Sequence, residues 1–472
     1  MSLNIVILAA GMGKRMKSRL PKVLHPLAGK PLLEHVVSTA NTLHPERVLV
    51  VHGHGGDQVK HALSCCAVTW VEQTELLGTG DAVRRTLDHL PDEGPVLILY
   101  GDVPLITSET LTRLVIASEG NALGLLTAFL EDPHGYGRIM RAPGGRVSAI
   151  IEEKDATPQQ RLINEINTGL MCVDAAHLKL WIRQLNNDNA QKEYYLTDII
   201  AMAVSNEVMV NTVHPEAIPE ILGVNDKRQL AELERVMQRR QADRLMCDGL
   251  MLADPERFDL RGSLTFGCDC QLDVNVLVEG DVTLGCGVKV GPQVVLRNCT
   301  IGDNVVVHPF SHIDGATIGH HAVIGPYARL RPGTNLDEHV HIGNFVETKK
   351  ASIGAGSKAN HLTYLGDCRI GRECNIGAGT ITCNYDGVNK HETLIGDRVF
   401  VGSDTQLIAP VTVEDDATLA AGTTLRKKAP ASSLTLTYVA QKSLPNWKRP
   451  IKKTTGNSAD SASTASRHPR EE

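Results

Sequence analysis

The stretch Val282-Thr-Leu-Gly-Cys-Gly-Val288-Lys-Val-Gly-Pro-Gln-Val294 places an aliphatic residue at every sixth position, with aliphatic-glycine pairs at Leu284-Gly285 and Val290-Gly291. A period of six matches neither the 3.6 residues of a helix nor the alternation of a half-buried strand. Outward from it, the ladder runs back through Val276 and Cys270 to Leu264, and a second unbroken ladder runs Ile395, Val401, Leu407, Val413, Leu419, Leu425. Between them the pairs return at Ile301-Gly302, Ile318-Gly319, Ile324-Gly325, Ile342-Gly343, Ile353-Gly354, Leu365-Gly366, Ile370-Gly371 and Ile376-Gly377. This pattern predicts a solenoid with one short strand per hexad, one inward aliphatic side chain per strand, and turns that favour glycine or another small residue. Three hexads close a triangular coil, so Leu264 to Leu425 holds about nine coils in a prism on the order of 40 Å long.

At 472 residues the chain exceeds what one hydrophobic core supports. The reading divides it into a sheet domain over 1–225, a connecting helix over 226–249, the prism over 250–450 and an unstructured tail over 451–472. A formal net charge of −6 gives no basic footprint for nucleic acid. No run of about 18 apolar residues suggests a membrane span, and Ile5 to Ala10 is too short for a signal peptide. Eleven scattered cysteines suit a reducing compartment, so the expected location is the cytoplasm.

In the first half, Asn4 to Ala9 forms an apolar run of the kind found in a strand buried on both faces. The chain then turns through Ala10-Gly11-Met12-Gly13-Lys14-Arg15-Met16 toward Pro21-Lys22. Glycines after a first strand let backbone N–H groups approach a phosphate, and Arg15 and Lys22 supply neutralising charge. Strands at Val48 to Val51, Val68 to Val71 and Val96 to Leu99, with a helix from about Asp81, imply a doubly wound α/β sheet with ligands at the carboxyl ends of its strands. Asp102, in Tyr100-Gly101-Asp102, falls at such an end; it is either a turn residue or a Mg²⁺ ligand. Gln73 and Leu77-Gly78-Thr79-Gly80 follow a strand and form either an ordinary turn or a reader of a base edge. Asn225, ahead of a helical pattern, reads as a cap residue on its own.

The string Leu8-Ala9-Ala10-Gly11-x-Gly13-x-Arg15-Met16 with Pro21-Lys22 resembles the signature of sugar-phosphate nucleotidyltransferases. The hexads are similar to the left-handed parallel β-helix of hexapeptide-repeat acyltransferases, and the left hand comes from that likeness, since parallel crossovers are otherwise right-handed. The fold class expected is therefore α/β followed by a β-solenoid.

The repeat breaks between Ile376 and Ile395, around Thr380-Ile-Thr-Cys-Asn384-Tyr385-Asp386-Gly387, and interruptions of a solenoid commonly form binding faces. Nearby, His361 lies between the flanking positions Ala359 and Leu365, six apart, and need not point inward. It is either a solvated histidine or a base able to take a proton from an amine attacking a thioester. Together with Asn344-Phe-Val-Glu-Thr-Lys349 and His361-Leu-Thr-Tyr364-Leu-Gly-Asp, this stretch makes both halves resemble the bacterial bifunctional N-acetylglucosamine-1-phosphate uridyltransferase/glucosamine-1-phosphate N-acetyltransferases over roughly residues 3 to 450.

That resemblance implies two reactions: acetyl-CoA acetylates glucosamine 1-phosphate, and UTP then uridylylates the product with Mg²⁺. It implies His361 as base, with Arg15 and Lys22 as the catalytic cations of the other reaction. Nucleotide contacts would come from Leu8, Ala9, Ala10, Gly11, Lys22, Gln73, Gly78, Thr79, Tyr100, Gly101, Asp102, Gly137, Glu152, Asn167 and Asn225, with Asp102 and Asn225 on the metal. Arg331, Lys349, Tyr364 and Asn375 would hold glucosamine 1-phosphate; Ala378, Asn384, Tyr385, Ser403, Ala421 and Tyr438 would hold acetyl-CoA. Tyr438 stands where relatives often carry arginine. A homotrimer is implied, without nucleic-acid or membrane partners. Two rival readings are a one-reaction nucleotidyltransferase with a structural or regulatory solenoid, and a non-catalytic nucleotide-binding scaffold.

Overall fold

The computed structural model describes residues 2–438 and 440–450; the stretch 451–472, expected to form an unstructured tail, lies outside the described residues. Short apolar runs build the first half. Asn4–Leu8 (β1), Arg47–His52 (β2), Thr69–Glu72 (β3) and Pro95–Tyr100 (β4) are parallel neighbours. Ala122–Phe129 (β5), Arg138–Arg141 (β6), Val147–Ile151 (β7), Glu165–Asp174 (β8) and Met209–Val213 (β9) complete the sheet. Its order is β9-β5-β8-β4-β1-β2-β3, with the β6–β7 hairpin joined to β8. β8 is antiparallel to β4 and β5.

Alternate residues of β1 feed two separate cores, the mark of a sheet covered on both faces. Val6 and Leu8 pack with Trp181 and Ile199 on one side, while Ile5 and Ile7 pack with Val36 and Leu111 on the other. Because β1 to β4 run parallel, the loops after Leu8, His52, Glu72 and Tyr100 leave the sheet along one edge.

The helix Lys227–Cys247 connects the halves. Its N-cap is Asp226, whose carboxylate accepts from the N–H groups of Arg228 (2.8 Å) and Gln229 (3.0 Å). Asn225, the cap expected from sequence, sits one residue earlier, and its N–H donates instead to Gln229 Oε1 at 2.8 Å. The buried Gln238 donates from Nε2 to Leu260 O (3.0 Å) and accepts from Leu260 N–H at Oε1 (2.7 Å). Glu234 Oε2 accepts from Ala28 N–H at 2.7 Å, and Arg240 donates to Leu105 O at 2.9 Å. The helix is thereby tied to both halves by side chains rather than serving as a loose tether.

From Met251 to Thr435, short parallel strands form one continuous 24-stranded ladder. Facing residues are seventeen or eighteen apart, as in Val290↔Val307 and Ile324↔Ile342. The expectation of one inward side chain per hexad is corrected to two: Val282 with Leu284, Val288 with Val290, and Val294 with Leu296 are all buried. Residues two apart on a strand share a face, so a three-residue strand presents both of its ends to the axis. Packing one such side chain contributes about 1.5–3 kcal/mol, repeated along the whole column. Glycine follows the second one because the coils nearly touch there; a Cβ on Gly343 would lie 2.2 Å from Asn360 O. Ile376 pairs with Val401 despite the long gap, and the surplus residues leave the wall as a loop. Among the described residues, no helix is long and apolar enough to cross a membrane.

Two candidate active sites

The edge where β1 to β4 end opens into a cavity of about 360 Å³, lined by Leu8, Ala9, Ala10, Gly11, Lys22, Gln73, Gly78, Thr79, Tyr100 and Asp102, and also by Leu76 and Glu193. Ten of the residues assigned to nucleotide from the sequence are thus gathered on one wall. Gly11 has open space where a Cβ would stand, leaving its backbone free to meet a ligand. Gly13 is required for another reason: φ is +58°, and a Cβ would lie 2.6 Å from Lys22 Cβ. Gly101 is buried behind the wall, its N–H donating to Leu8 O at 2.9 Å.

Lys22 Nζ pairs with Asp102 Oδ2 and lies 3.4 Å from Asn225 Oδ1. One carboxylate and one amide oxygen therefore converge on a point that already accepts a cation, and this donor set suits Mg²⁺, which takes few protein oxygens and completes its shell with phosphate and water. Arg15 is exposed on the turn Lys14–Met16 and is not part of the cavity wall. The Asp226 carboxyl is held below the usual range, first by the Gln229 N–H and to a lesser degree by Arg228 and Arg15.

Gly137, Glu152 and Asn167 form a second cluster along the same edge. A Cβ on Gly137 would lie 3.5 Å from both Glu152 carboxylate oxygens, and Asn167 N–H donates to Gly137 O at 2.8 Å. Tyr100 connects the clusters: burial raises its phenol, and the Glu152 and Asp102 carboxylates raise it further. Burial also raises the Glu152 carboxyl, opposed by a 3.0 Å hydrogen bond from Thr197 Oγ1 and reinforced by Asp198, Asp155 and Glu193. A carboxyl whose folded pKa exceeds its unfolded one stabilises the fold relatively more at low pH and loses that contribution as pH rises through the folded value. Glu152→Gln is therefore expected to melt above the parent at pH 8, with the gap closing by pH 4; differential scanning fluorimetry across pH checks this.

On the prism, His361 is exposed at a corner. Asn344 faces it on the preceding coil. Gly379 N–H donates to Leu362 O, Asp404 N–H to Ala378 O and Gly422 N–H to Ser403 O, so His361, Ala378, Ser403 and Ala421 rise in consecutive coils along one corner. At about 4.8 Å per coil the row spans roughly 15 Å, a shape suited to an extended ligand. Tyr438, 81% exposed, follows the last coil.

The neighbouring face carries Tyr364, and its far corner carries Arg331 and Lys349. A Cβ on Gly366 would lie 2.3 Å from Tyr364 Oη, so the ring lies over that glycine. Arg331 donates to Glu347 at 2.7 Å. The Lys349 ammonium is pushed down, first by the adjacent Lys390 and then by Arg331, which marks three cations near one another. Asn384 is buried and donates to Asp367 Oδ2 at 2.5 Å, while Tyr385 is 61% exposed on the loop. Asp386 holds the loop tip, accepting from Val388 and Asn389 N–H groups and pairing with His391 at 2.7 Å. Asn375 is not in this group; it is exposed on the face before His361, between Lys358 and Phe400.

Known proteins agree with both halves. Residues 5–163 match the MobA-like NTP transferase domain. Residues 281–315 and 298–332 match the bacterial transferase hexapeptide (six repeats), and residues 393–427 the hexapeptide repeat of succinyl-transferase. The bifunctional protein GlmU of Aromatoleum aromaticum is 56% identical over 454 residues, covering 96% of this chain and 100% of that protein. The GlmU proteins of Ralstonia nicotianae and Marinobacter nauticus are 55% and 54% identical over 450 residues, each covering 95% of this chain and 99% of its own length. The chain belongs to the GlmU family. It is a bifunctional enzyme of UDP-N-acetylglucosamine synthesis, an acetyltransferase joined to a nucleotidyltransferase, and its prism is the left-handed β-helix of hexapeptide transferases. The GlmU relatives match through both halves, which sets aside the one-reaction and scaffold readings.

Four residues of this GlmU chain near the sites escaped the sequence reading. Lys390 was inside the stretch recognised as an interruption, but its meeting with Lys349 depends on the loop path. Glu347 and Asp367 become visible only once the coils are in register, because their partners are sixteen and seventeen residues away. Asp81, where a helix is expected to start, is buried and bonded to Gln73.

Proposed function

We propose that the prism acetylates glucosamine 1-phosphate and that the sheet domain then joins the product to UMP. In the first reaction the sugar amine attacks the thioester carbonyl of acetyl-CoA, His361 removes the amine proton, and the CoA thiolate leaves. Arg331, Lys349 and Lys390 would hold the phosphate dianion, with Tyr364 on the sugar; Asn375, on a different face of the same prism, is left out of this group. Ala378, Ser403 and Ala421 would follow the acyl donor along the corner, aided by Asn384, Tyr385 and Tyr438. In the second reaction, the sugar-phosphate oxygen attacks the α-phosphorus of UTP and pyrophosphate departs.

Asp102 and Asn225 would hold Mg²⁺, which when bound supplies charge neutralisation to the triphosphate. Lys22 contributes a further positive charge at the same point, and Arg15 would complete the phosphate loop once a nucleotide is present. Gly137, Glu152 and Asn167 would receive the sugar beside the nucleotide. The carrying observation is the meeting of Lys22, Asp102 and Asn225 at one strand edge, together with an exposed His361 one coil from Ala378. Incubation of the protein with glucosamine 1-phosphate, acetyl-CoA, UTP and Mg²⁺, omitting each in turn, tests the sequence of steps. N-acetylglucosamine 1-phosphate should accumulate without UTP, and UDP-N-acetylglucosamine should require all four.

The functional units are residues 1–225, 226–249 and 250–450. A homotrimer completes the acetyl site in this reading. Phe310, Tyr327, Phe345 and Leu362 are all about half exposed or more on the His361 corner, with Phe310–Tyr327 and Tyr327–Phe345 rings stacked at 4.9 and 5.2 Å. An apolar ridge of this kind favours burial against another copy, and such packing would bring the loop of one copy to the CoA row of the next. Lys390→Ala is expected to raise KM for glucosamine 1-phosphate about tenfold with a smaller effect on KM for acetyl-CoA. Initial-rate measurements varying each substrate check it.

A further inference from the structure

We infer that Asp81 is a positioning residue that sets which pyrimidine the nucleotide cavity accepts, by fixing the Gln73 carboxamide with its oxygen toward the base. The inference rests on the reading of that cavity as the UTP site.

Gln73 lines the cavity, yet its side chain is only 4% exposed and held from behind. Nε2 donates to Asp81 Oδ2 at 2.9 Å and to Gly78 O at 3.1 Å. A carboxylate and a backbone carbonyl are both acceptors, so only the NH₂ end of the amide fits against them. The usual ambiguity between amide oxygen and nitrogen is resolved by chemistry, and Oε1 is the polar atom left for the cavity. Asp81 is itself fixed: it is 2% exposed on the first turn of the helix Thr79–Arg84, with Arg85 Nε 3.5 Å from Oδ1.

An acceptor held at one point requires a hydrogen-bond donor from the base at that point. Uracil supplies one at N3–H; cytosine carries an unprotonated N3, and its oxygen-facing arrangement would leave two acceptors opposed. A site built around a fixed hydrogen bond rejects ligands lacking the matching group far more strongly than one built on shape. Glutamine alone would not do this, because a free carboxamide turns over and serves either base. Asp81, acting with the Gly78 carbonyl beside it, removes that freedom.

The test compares kcat/KM for UTP and CTP in the full-length protein and in Asp81→Leu and Asp81→Asn. The parent should favour UTP strongly. Asp81→Leu should lower the UTP/CTP ratio by about tenfold or more, mainly through KM for UTP, while acetyl transfer by the same preparation is retained. Asp81→Asn, which keeps an oxygen able to accept from Nε2, should hold the ratio within about threefold. A second measurement needs no variant: N3-methyl-UTP should be a very poor substrate for the unaltered protein. An equal loss toward UTP and CTP in Asp81→Leu overturns the proposal in favour of a structural role, as does turnover of N3-methyl-UTP at the rate of UTP. Failure of the unaltered protein to use UTP at all would overturn the cavity assignment itself, and this inference with it.

Discussion

His361→Ala is expected to lower acetyl transfer to glucosamine 1-phosphate by about 10²- to 10⁴-fold, with UTP-dependent pyrophosphate release from N-acetylglucosamine 1-phosphate unchanged. The magnitude follows from the role: an amine becomes a good acyl acceptor only as its proton leaves, and an imidazole titrates in the range where that transfer is most useful. The separation follows from the architecture, since His361 belongs to the prism wall while Lys22, Asp102 and Asn225 belong to the sheet edge. Loss should fall on kcat rather than on KM for acetyl-CoA, because Ala378, Ser403 and Ala421 are untouched by the substitution. Parallel assays of free CoA and of pyrophosphate on one preparation check both halves of the expectation. Equal loss of the two activities would instead indicate damage to the fold.

Asp102→Asn should have the complementary result, a fall of about 10²-fold or more in pyrophosphate release with acetyl transfer preserved. The change keeps an oxygen that accepts from Lys22 but removes the negative charge that a divalent cation needs. The Mg²⁺ concentration giving half-maximal uridylyl transfer should therefore rise together with the fall in kcat, and titration with MgCl₂ measures it. Asp102→Ala should be more severe, since it also leaves the half-buried Lys22 ammonium with Asn225 as its remaining polar neighbour at that point. Retention of full activity by either variant would remove Asp102 from the metal site.

The period of six was legible because the triangular cross-section turns a side chain inward in each hexad, and most of these positions, Val288 and Val401 among them, are aliphatic. The second inward position was missed because it repeats with the same period, two residues out of phase, and merges with the aliphatic-glycine pairs. The cavity wall was legible where short motifs are dictated by backbone contact with phosphate, as from Leu8 to Gly11. Residues that act through another side chain carry no such signature. Asp81 holds Gln73 from eight residues away and Asp367 holds Asn384 from seventeen, and neither spacing has meaning until the turns and coils are in place. Arg15 shows the opposite limit: the motif identifies it, yet its long side chain is exposed on the turn and lies off the cavity wall.

The carboxamide of Gln238 meets Leu260 as another strand would, donating to its carbonyl and accepting from its amide. An open-ended column of stacked coils is a template for head-to-tail growth into fibres, because its first turn offers an unfilled row of peptide groups. A single glutamine on the connecting helix occupies part of that row, and the helix itself bars a second column from approaching. The piece that joins the two catalysts thus also covers peptide groups at the first turn of the column.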